Sequence, residues 1–591
     1  MGTNLGRLIF AVVGILPFAG CEDGDLPRPP EPVTPVAAGD AAAGPAWFAD
    51  VTAARKFAFR HDTGPFGDYF MPDSAGSGGA VLDFDNDGRL DILMVQITGP
   101  GTGKTHALFH QQPDGTFADV TEGSGLDVDG HGMGAACGDV NNDGLVDVAI
   151  TYYRGTRLFI NTGNGRFVQL GDEAGVVNPY WGMTAAFFDY DRDGRLDLFV
   201  ANYIAYQGVP CFYQNGQDFC GPGEHTGSDA KLYRNTTPPG DASPAAVRFE
   251  DVTERAGIAG RPGAGLGVVC ADFTADGWQD VFVTNDGEPN FLWVNRRDGT
   301  FAEEGVVRGV AVNAAGKAQA NMGIGVGDAD GNGLLDLYVT HLTEEGNVLW
   351  AQDAAGAFRD LTRAVDLTRI DSRGTGFGTT MTDFDNDADP DIAIVNGRVS
   401  RSRLYTPDPA TVERLGPWAP YAERNIVLRN DGGRFVDTSP AHPAFAGRPN
   451  VGRGLVVADL DNDGGMDLIA CQADQPAQVF RNVAPARGHW VLVRAVDPAR
   501  GGRDAYGASV TVTAAGRQYG HVVAPSYSYL NSNDPRLHFG LGAASVVDRV
   551  TVTWPDGTAE AFPGGPVDRV MVVSKGAGQP VATAAADAAR R

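Results

Sequence analysis

The sequence predicts an all-β fold in which seven four-stranded sheets close into a ring, a seven-bladed β-propeller, followed by a small C-terminal β-domain. Three observations predict it. A nonapeptide of the form D-x-[DN]-x-[DN]-G-x-x-D recurs, with drift, seven times along the 591 residues, beginning at Asp83, Asp139, Asp189, Asp272, Asp328, Asp383 and Asp459. Most copies lie about fifty residues apart, a period typical of repeat architectures. Around each copy, short apolar runs alternate with Gly, Asn and Asp, which is the composition of strands and turns.

In chain order, the first element is an address. "MGTNLGRLIFAVVGILPFAGC" carries Arg7, an apolar run from Leu8 to Phe18, and then Ala19-Gly20-Cys21. The run is too short to span a bilayer and suits the core of a signal peptide. Ala-Gly-Cys resembles the bacterial lipobox, in which the Cys is lipidated. Residues 1–21 are therefore expected to direct export, either as a lipoprotein signal modified at Cys21 or as a simply cleaved one. Residues 22–45 are rich in Pro and Ala and should form a flexible tether.

Residues 46–485 hold the repeats. Each has a Gly-rich segment ("GHGMGAACGD", "NMGIGVGD"), the Asp-rich loop, an alternating strand ("DILMV", "DVAIT"), a short strand ("LFHQ", "LFIN", "LYRN") and a further strand after a Gly turn ("FADVT", "FEDVT"). Four strands make one propeller blade. The seventh repeat stops after "VFRN" with three strands, while an orphan "FADVT", Phe48–Thr52, precedes the first repeat. Pairing the orphan with the last blade would close the ring and leave no open edge. Glycines such as Gly132/Gly134 and Gly323/Gly325 suit innermost strands crowded at the axis.

The loops have the chemistry of a hard-cation site. Carboxylates or amides at positions 1, 3, 5 and 9, with a carbonyl at position 7, can encircle Ca²⁺, and Gly at position 6 permits a sharp turn. An EF-hand loop would need Glu at position 12. That position is Met94, Ile150, Val200, Val283, Val339, Ile394 and Ala470, so the loops belong in β-hairpins. The expected ligands are Asp83, Asp85, Asp87 and Asp91 in the first copy; Asp139, Asn141, Asp143 and Asp147 in the second; and Asp189, Asp191, Asp193 and Asp197 in the third. The fourth offers Asp272, Asp276 and Asp280, with Thr274 at position 3, and should be the weakest. The fifth offers Asp328, Asp330, Asn332 and Asp336; the sixth Asp383, Asp385, Asp387 and Asp391; the seventh Asp459, Asp461, Asp463 and Asp467. In the sixth, Ala388 replaces the glycine, at a cost of about 1 kcal/mol if φ is positive there.

These repeats resemble the FG-GAP/VCBS family of integrin-type propellers. That resemblance implies Ca²⁺ at up to seven sites, acting as structural staples. Residues 486–575 read as a small β-domain resembling the ASPIC/UnbV domain through Gly507-Ala508, Ser528-Tyr529-Leu530, "NDPRLHFGLG" and "VTWPDG". The combination resembles bacterial relatives of the cartilage acidic protein family. Within it, Asn531 and Asp534 suit a turn, and Arg536 and His538 are expected to satisfy backbone groups of the strand pair. Residues 576–591 read as a disordered tail.

Cys211 and Cys220 lie nine apart in an irregular insertion and are expected to form a disulfide in an exported loop, whereas Cys137, Cys270 and Cys471 read as buried thiols. The formal net charge of −28 argues against nucleic acid and anionic lipid as partners. Contact with a membrane is expected only through an N-terminal lipid. No Ser/His/Asp constellation, His-rich metal motif or phosphate loop is recognisable. Arg453, His131 and Trp181, at or before inner strands, could line a channel mouth, but packing roles are expected for them. The reading is a non-enzymatic binding or adhesion module at the cell envelope or outside the cell, with a protein or carbohydrate ligand. The alternative is an enzyme or accessory protein of secondary metabolism or polysaccharide processing, using the channel or the C-terminal domain.

Overall fold

The computed structural model describes residues 44–581 except 98, 100, 101, 210, 214, 215, 371, 372, 403 and 404. The signal segment, Cys21, the tether up to residue 43 and the tail from residue 582 lie outside the described residues.

Seven sheets form the ring, each of four antiparallel strands, and the first gains a short parallel fifth strand from the C-terminal domain. Their innermost strands are Gly79–Leu82, Gly132–Gly138, Gly182–Phe188, Gly265–Ala271, Ile324–Gly327, Gly376–Thr382 and Gly452–Ala458. Each packs against the next and the last against the first. Blade seven takes its outer strand from the beginning of the described chain, with Phe48 opposite Asn482 and Asp50 opposite Phe480. The ring is thereby closed by hydrogen bonds between distant segments.

The hydrophobic core lies mainly between blades. Residues of each second and third strand point alternately into the two neighbouring interfaces, giving a cluster at every junction, such as Phe188, Tyr190, Val268 and Trp293 between blades three and four. Close approach at the axis explains the inner-strand glycines. A Cβ on Gly323 would lie 2.0 Å from the Phe377 carbonyl oxygen of the next blade.

The C-terminal domain has two sheets. One contains His489–Asp497, Leu537–Gly542 and Arg569–Ser574; the other contains Ser509–Ala514, Arg517–Val522, Val546–Thr553 and Ala559–Pro566. The disordered tail expected from residue 576 starts too early. Gln579–Pro580 pairs with Ala561 and Glu560, and the Glu560 carboxylate accepts the Gly576 N–H. A paired strand edge and a carboxylate partner outweigh the small-residue composition there.

The domain does not sit apart from the ring. It docks on the face carrying the Asp-rich loops and shares a continuous core with blades two and three, where Val510, Val512 and Val550 pack with Val140, Phe187 and Leu198. Its segment from Pro525 to Asp534 enters the axis. Ser528 exchanges backbone bonds with Ile324. Its hydroxyl accepts the Thr379 N–H and donates to the Leu455 carbonyl. Leu530 N–H donates to Thr184 Oγ1, and its carbonyl accepts Ala135 N–H. Asn531–Ser532 runs parallel to blade one, Asn531 Oδ1 accepting Gly79 N–H, and Asn533 Oδ1 accepts Val457 N–H. Asn531 is thus a strand residue rather than a turn former, because the ring offers an unpaired inner edge.

Inner-strand N–H and C=O groups otherwise face an empty axis, where leaving them unpaired is costly. The inserted segment satisfies them in five blades and reaches the Thr184 hydroxyl in blade three. It also explains Gly134, whose Cβ would meet the Leu530 carbonyl oxygen at 2.8 Å.

Because ring and C-terminal domain share a core and the inserted segment, they are expected to unfold in one calorimetric transition; two separated transitions would contradict this interlock. Tyr529 is buried and donates its hydroxyl to the Ala75 carbonyl, so Tyr529→Ala should cost about 3–5 kcal/mol in urea denaturation.

Candidate metal centres and the propeller axis

Each Asp-rich loop joins an inner strand to the second strand of its blade, and the seven loops share one backbone geometry. Position 6 has positive φ in every copy, including Ala388 at +83°. Position 4 is left-handed as well. Asn86, Asn142, Arg192, Ala275, Asn386 and Asn462 have φ between +56° and +60°, and Gly331 serves in the fifth loop. Asn tolerates this conformation better than most residues. Its recurrence at position 4 is a signal of this backbone angle legible in the sequence.

The aspartate at position 9 is the hub. Asp91, Asp147, Asp197, Asp280, Asp336, Asp391 and Asp467 are all buried. In every copy one carboxylate oxygen accepts the N–H of position 2, at 2.8–3.4 Å. The other accepts the N–H of the last residue of the third strand, at 2.7–2.9 Å. Position 1 is tied similarly, one oxygen accepting the N–H of position 6 in all seven loops.

The residue that ends the third strand then reaches the neighbouring blade. Gln111, Asn161, Asn235, Asn295, Gln352 and Asn482 donate their side-chain N–H to the position-2 carbonyls of Leu460, Phe84, Val140, Tyr190, Phe273 and Phe384, at 2.7–2.9 Å. These amides clasp six of the seven junctions. In blade six, Asn430 turns instead to the Pro390 carbonyl of its own loop. The terminal Asn and Gln are visible in the sequence, but their partners lie in another repeat.

The ligand sets converge in part. Oxygens of Asp83, Asp85 and Asp91 lie within 4.8 Å of one another, as do those of Asp189, Asp191 and Asp197, and of Asp328, Asp330 and Asp336. Asp85 and Asp87 also group with His110 from the third strand. Position 5 is partly engaged. Asp87, Asp143, Asp193, Asp276, Asn332, Asp387 and Asp463 each accept the N–H of position 7. In the fourth loop, the Thr274 hydroxyl lies 3.5 Å from Asp272 Oδ1 and adds no carboxylate. In the third and seventh loops, arginines lie on the outer carboxylates: Arg234 on Asp191 and Asp193, and Arg481 on Asp461 and Asp463.

Burial without sufficient counter-charge raises the acids. Desolvation pushes Asp91 up to about 8 and Asp336 to about 7, and holds Asp147, Asp197, Asp280, Asp391 and Asp467 well above the usual carboxylate range. At position 1, Asp139, Asp189 and Asp459 rise to about 6 for the same reason. Several oxygens also lack any protein donor: Asp189 Oδ1, Asp385 Oδ1 and Asp461 Oδ1 are buried and unpaired. A hard divalent cation matches such a donor set, since it supplies the missing charge and takes oxygen ligands.

The C-terminal domain lays arginines across this acidic face. Arg503 donates to the Asp139 and Gly194 carbonyls, Arg517 to that of Ala388, and Arg536 to that of Asp459. Arg536 is also paired with Asp534 at 2.6 Å, and His538 Nε2 lies 3.2 Å from the Gly464 carbonyl. Both residues therefore serve the seventh loop rather than their own strand pair. The loop's carbonyls point outward at the docking face and need donors.

At the opposite end of the axis, the helix Met71–Ala75, Trp181, Tyr203, Tyr206 and Leu266 pack around Tyr529 and Leu530. Trp181 is buried, and His131 Nδ1 lies 3.0 Å from the Ile97 carbonyl. Arg453 is wholly buried. Its guanidinium stacks 4.0 Å from Phe377 and donates to the carbonyls of Ser74, Gly397, Gly452 and Arg398. None of the three stands in an open channel. Two long insertions between strands, around residues 201–230 and 399–424, meet on this side, where Phe219 stacks on Trp418 and Tyr421 donates to Asp218. Cys211 and Cys220 are joined by a disulfide, and Cys137, Cys270 and Cys471 are buried free thiols.

A closed ring whose blades each carry such a loop between the first and second strands, capped by a β-domain that plugs its axis, is an FG-GAP propeller with an ASPIC/UnbV domain. The FG-GAP-like repeat model matches residues 83–150, 139–200 and 272–339, and the ASPIC and UnbV model matches residues 498–580. Cartilage acidic protein 1 is a homologue. The human protein is 26% identical over 516 residues, covering 82% of this chain and 70% of its own. The Xenopus tropicalis protein is 25% identical, with 82% and 71% covered. Among solved structures, YCF48 bound to D1 peptide is 10% identical at a TM-score of 0.39, covering 76% of this chain and 99% of that one. An Agrocybe aegerita lectin structure, which concerns recognition of non-reducing terminal N-acetylglucosamine, is 14% identical at a TM-score of 0.37, with 69% and 96% covered.

Two outcomes test the loop analysis by equilibrium unfolding. Asn161→Ala leaves a buried carbonyl without its donor and should cost about 1–3 kcal/mol; Asn430→Ala, which breaks no clasp between blades, should cost less. Ala388→Gly relieves a left-handed Cβ and should stabilise by about 1 kcal/mol; a loss of stability would contradict the strain.

Proposed function

We propose that the protein is an exported, calcium-stabilised propeller that acts as a non-enzymatic binding or adhesion module at the cell envelope or outside the cell, with a protein or carbohydrate ligand. The observation that carries the calcium reading is the set of buried loop oxygens without donors, Asp189 Oδ1, Asp385 Oδ1 and Asp461 Oδ1. They stand among carboxylates that burial raises towards protonation. In such a loop Ca²⁺ would be held by positions 1, 3 and 9, with position 5 and a backbone carbonyl completing the shell. The ion supplies charge neutralisation at a hairpin, and the protein residues orient the carboxylates through the backbone bonds described above.

The signal-like N-terminus supports export, as does the disulfide between Cys211 and Cys220, a bond favoured outside the cytosol. Tyr529 and Leu530 fill the axis, which favours ligand contact on outer surfaces and insertions over turnover in a channel. Rigid scaffolds commonly carry binding on such loops.

Calcium titration of the signal-less protein by isothermal calorimetry, with melting followed in calcium and in EGTA, tests the stapling role. Extracellular modules bind in the range of about 10⁻⁴ to 10⁻³ M, and free calcium at ten times Kd would add about 1.4 kcal/mol per site. The melting temperature should fall on chelation, and Asp91→Asn should remove one site. An unchanged melt with no binding heat overturns the calcium reading. Glycan-array or pull-down binding without turnover supports the module reading, whereas conversion of a captured compound would overturn it.

A further inference from the structure

The seven junctions between blades are not equivalent. At six of them a third-strand amide clasps the preceding loop, and the position-2 side chain of that loop wedges into the interface. The wedges are Phe84, Val140, Tyr190, Phe273, Phe384 and Leu460. At the junction of blades five and six the wedge is Ala329, the smallest of the set, and the amide clasp is missing because Asn430 bonds within its own loop. The inner edge of this junction remains tied, Thr340 Oγ1 donating to the Phe377 carbonyl at 2.9 Å. The ring therefore stays closed while the outer part of the seam is under-filled.

Two cavities lie along this seam. One, of about 90 Å³, sits at the loop end beneath the C-terminal domain, bordered by Gly327, Met381 and Pro390. The other, of about 340 Å³, opens at the opposite end, within the roughly 300–1,000 Å³ range of small-molecule sites. Its lining is mostly apolar, with Leu342, Ile370, Ile394, Ile426 and Leu428 beside the polar Gln319, Thr343 and Asn347. Arg363 and Arg373 stand at its rim, both exposed, and neither is paired with a carboxylate among the described residues. The acids that border the same cavity are already engaged. Glu345 lies 3.6 Å from the Lys317 ammonium and accepts the Ala320 N–H, while Asp360 accepts the N–H groups of Ala314 and Thr362. On a chain of net charge −28, two guanidinia without a carboxylate partner among the described residues, set over a largely apolar cleft, make a distinctive combination.

We propose that the cleft between blades five and six binds a small aliphatic carboxylate, its chain against Ile394, Ile426 and Leu428 and its head group at Arg363 and Arg373. A guanidinium pairs with a carboxylate through charge-assisted, bidentate hydrogen bonds, and the missing clasp lowers the cost of widening the seam around an alkyl chain. The site uses none of the loop ligands, so it stands whether or not the loops take up calcium.

The test is calorimetric titration of the full chain with decanoate, and with decanol as a chain-matched neutral probe, each in calcium and in EGTA. Saturable decanoate binding is expected in both buffers. The surface double variant R363Q/R373Q should keep the wild-type melting temperature and weaken decanoate at least tenfold while leaving decanol unchanged. Leu342→Trp should fill the cleft and abolish both. Absence of saturable decanoate uptake overturns the proposal, as does an affinity that the double variant leaves intact. Because the double variant lies on the surface, misfolding of Leu342→Trp would not remove the decision. Loss of decanoate binding in EGTA alone would show that the seam depends on the loops and overturn its independence, separately from any failure of calcium binding itself.

Discussion

One buried carboxylate per blade organises this molecule. The aspartate that begins each second strand holds the loop before it with one oxygen and the end of the third strand with the other. Charge in that position is costly to bury, and the fold offsets the cost with two backbone N–H donors. The same placement orients the side-chain amide of that strand-end residue towards the adjacent blade in six of the seven blades. Loop geometry, blade twist and ring closure are therefore linked through a single side chain, and this explains why the spacing from position 1 to position 9 does not drift although the residues between do.

The second constraint is the axis. Seven inner strands crowd a line where a solvent channel would leave polar backbone to water and apolar side chains with nothing to pack against. The chain solves both with its own C-terminal segment. Ser528 and Asn531 serve hydrogen-bonding edges, and Tyr529 and Leu530 complete the apolar packing on the far side. The flat acidic face then receives a basic lid, in which Arg503, Arg517 and Arg536 donate to loop carbonyls, and Arg517 also reaches the Asp389 carboxylate. This arrangement satisfies the loop backbone at the docking face.

Much of this was legible in the sequence because the repeats are local. Period, strand count, the apolar position 12 and the orphan "FADVT" needed only patterns within about fifty residues. The position-6 glycine and its replacement by Ala388 likewise announce a local backbone angle. What escaped were relations between segments distant in the chain. "LFIN" and "LYRN" display Asn161 and Asn235 openly, yet nothing within a repeat says that they bond the blade before. Asn531 looks like a turn residue until the empty inner edge of blade one is known. Gln579–Pro580 has no strand pattern of its own and is a strand because Glu560 and Ala561 supply its partner.

The latch of blade seven has a consequence for how the chain is made. Asp50 and Gln478, which bond across it, are separated by 428 residues. Ribosomes deliver polypeptide in order, so the opening strand must wait, without its partner, while every other blade emerges. The axial segment arrives later still. A nascent or prematurely terminated chain therefore presents raw sheet margins at both rim and hub, surfaces prone to mispairing. A molecule cut short before its last hundred residues would lack the segment that fills the axis and would keep the hub edge unpaired.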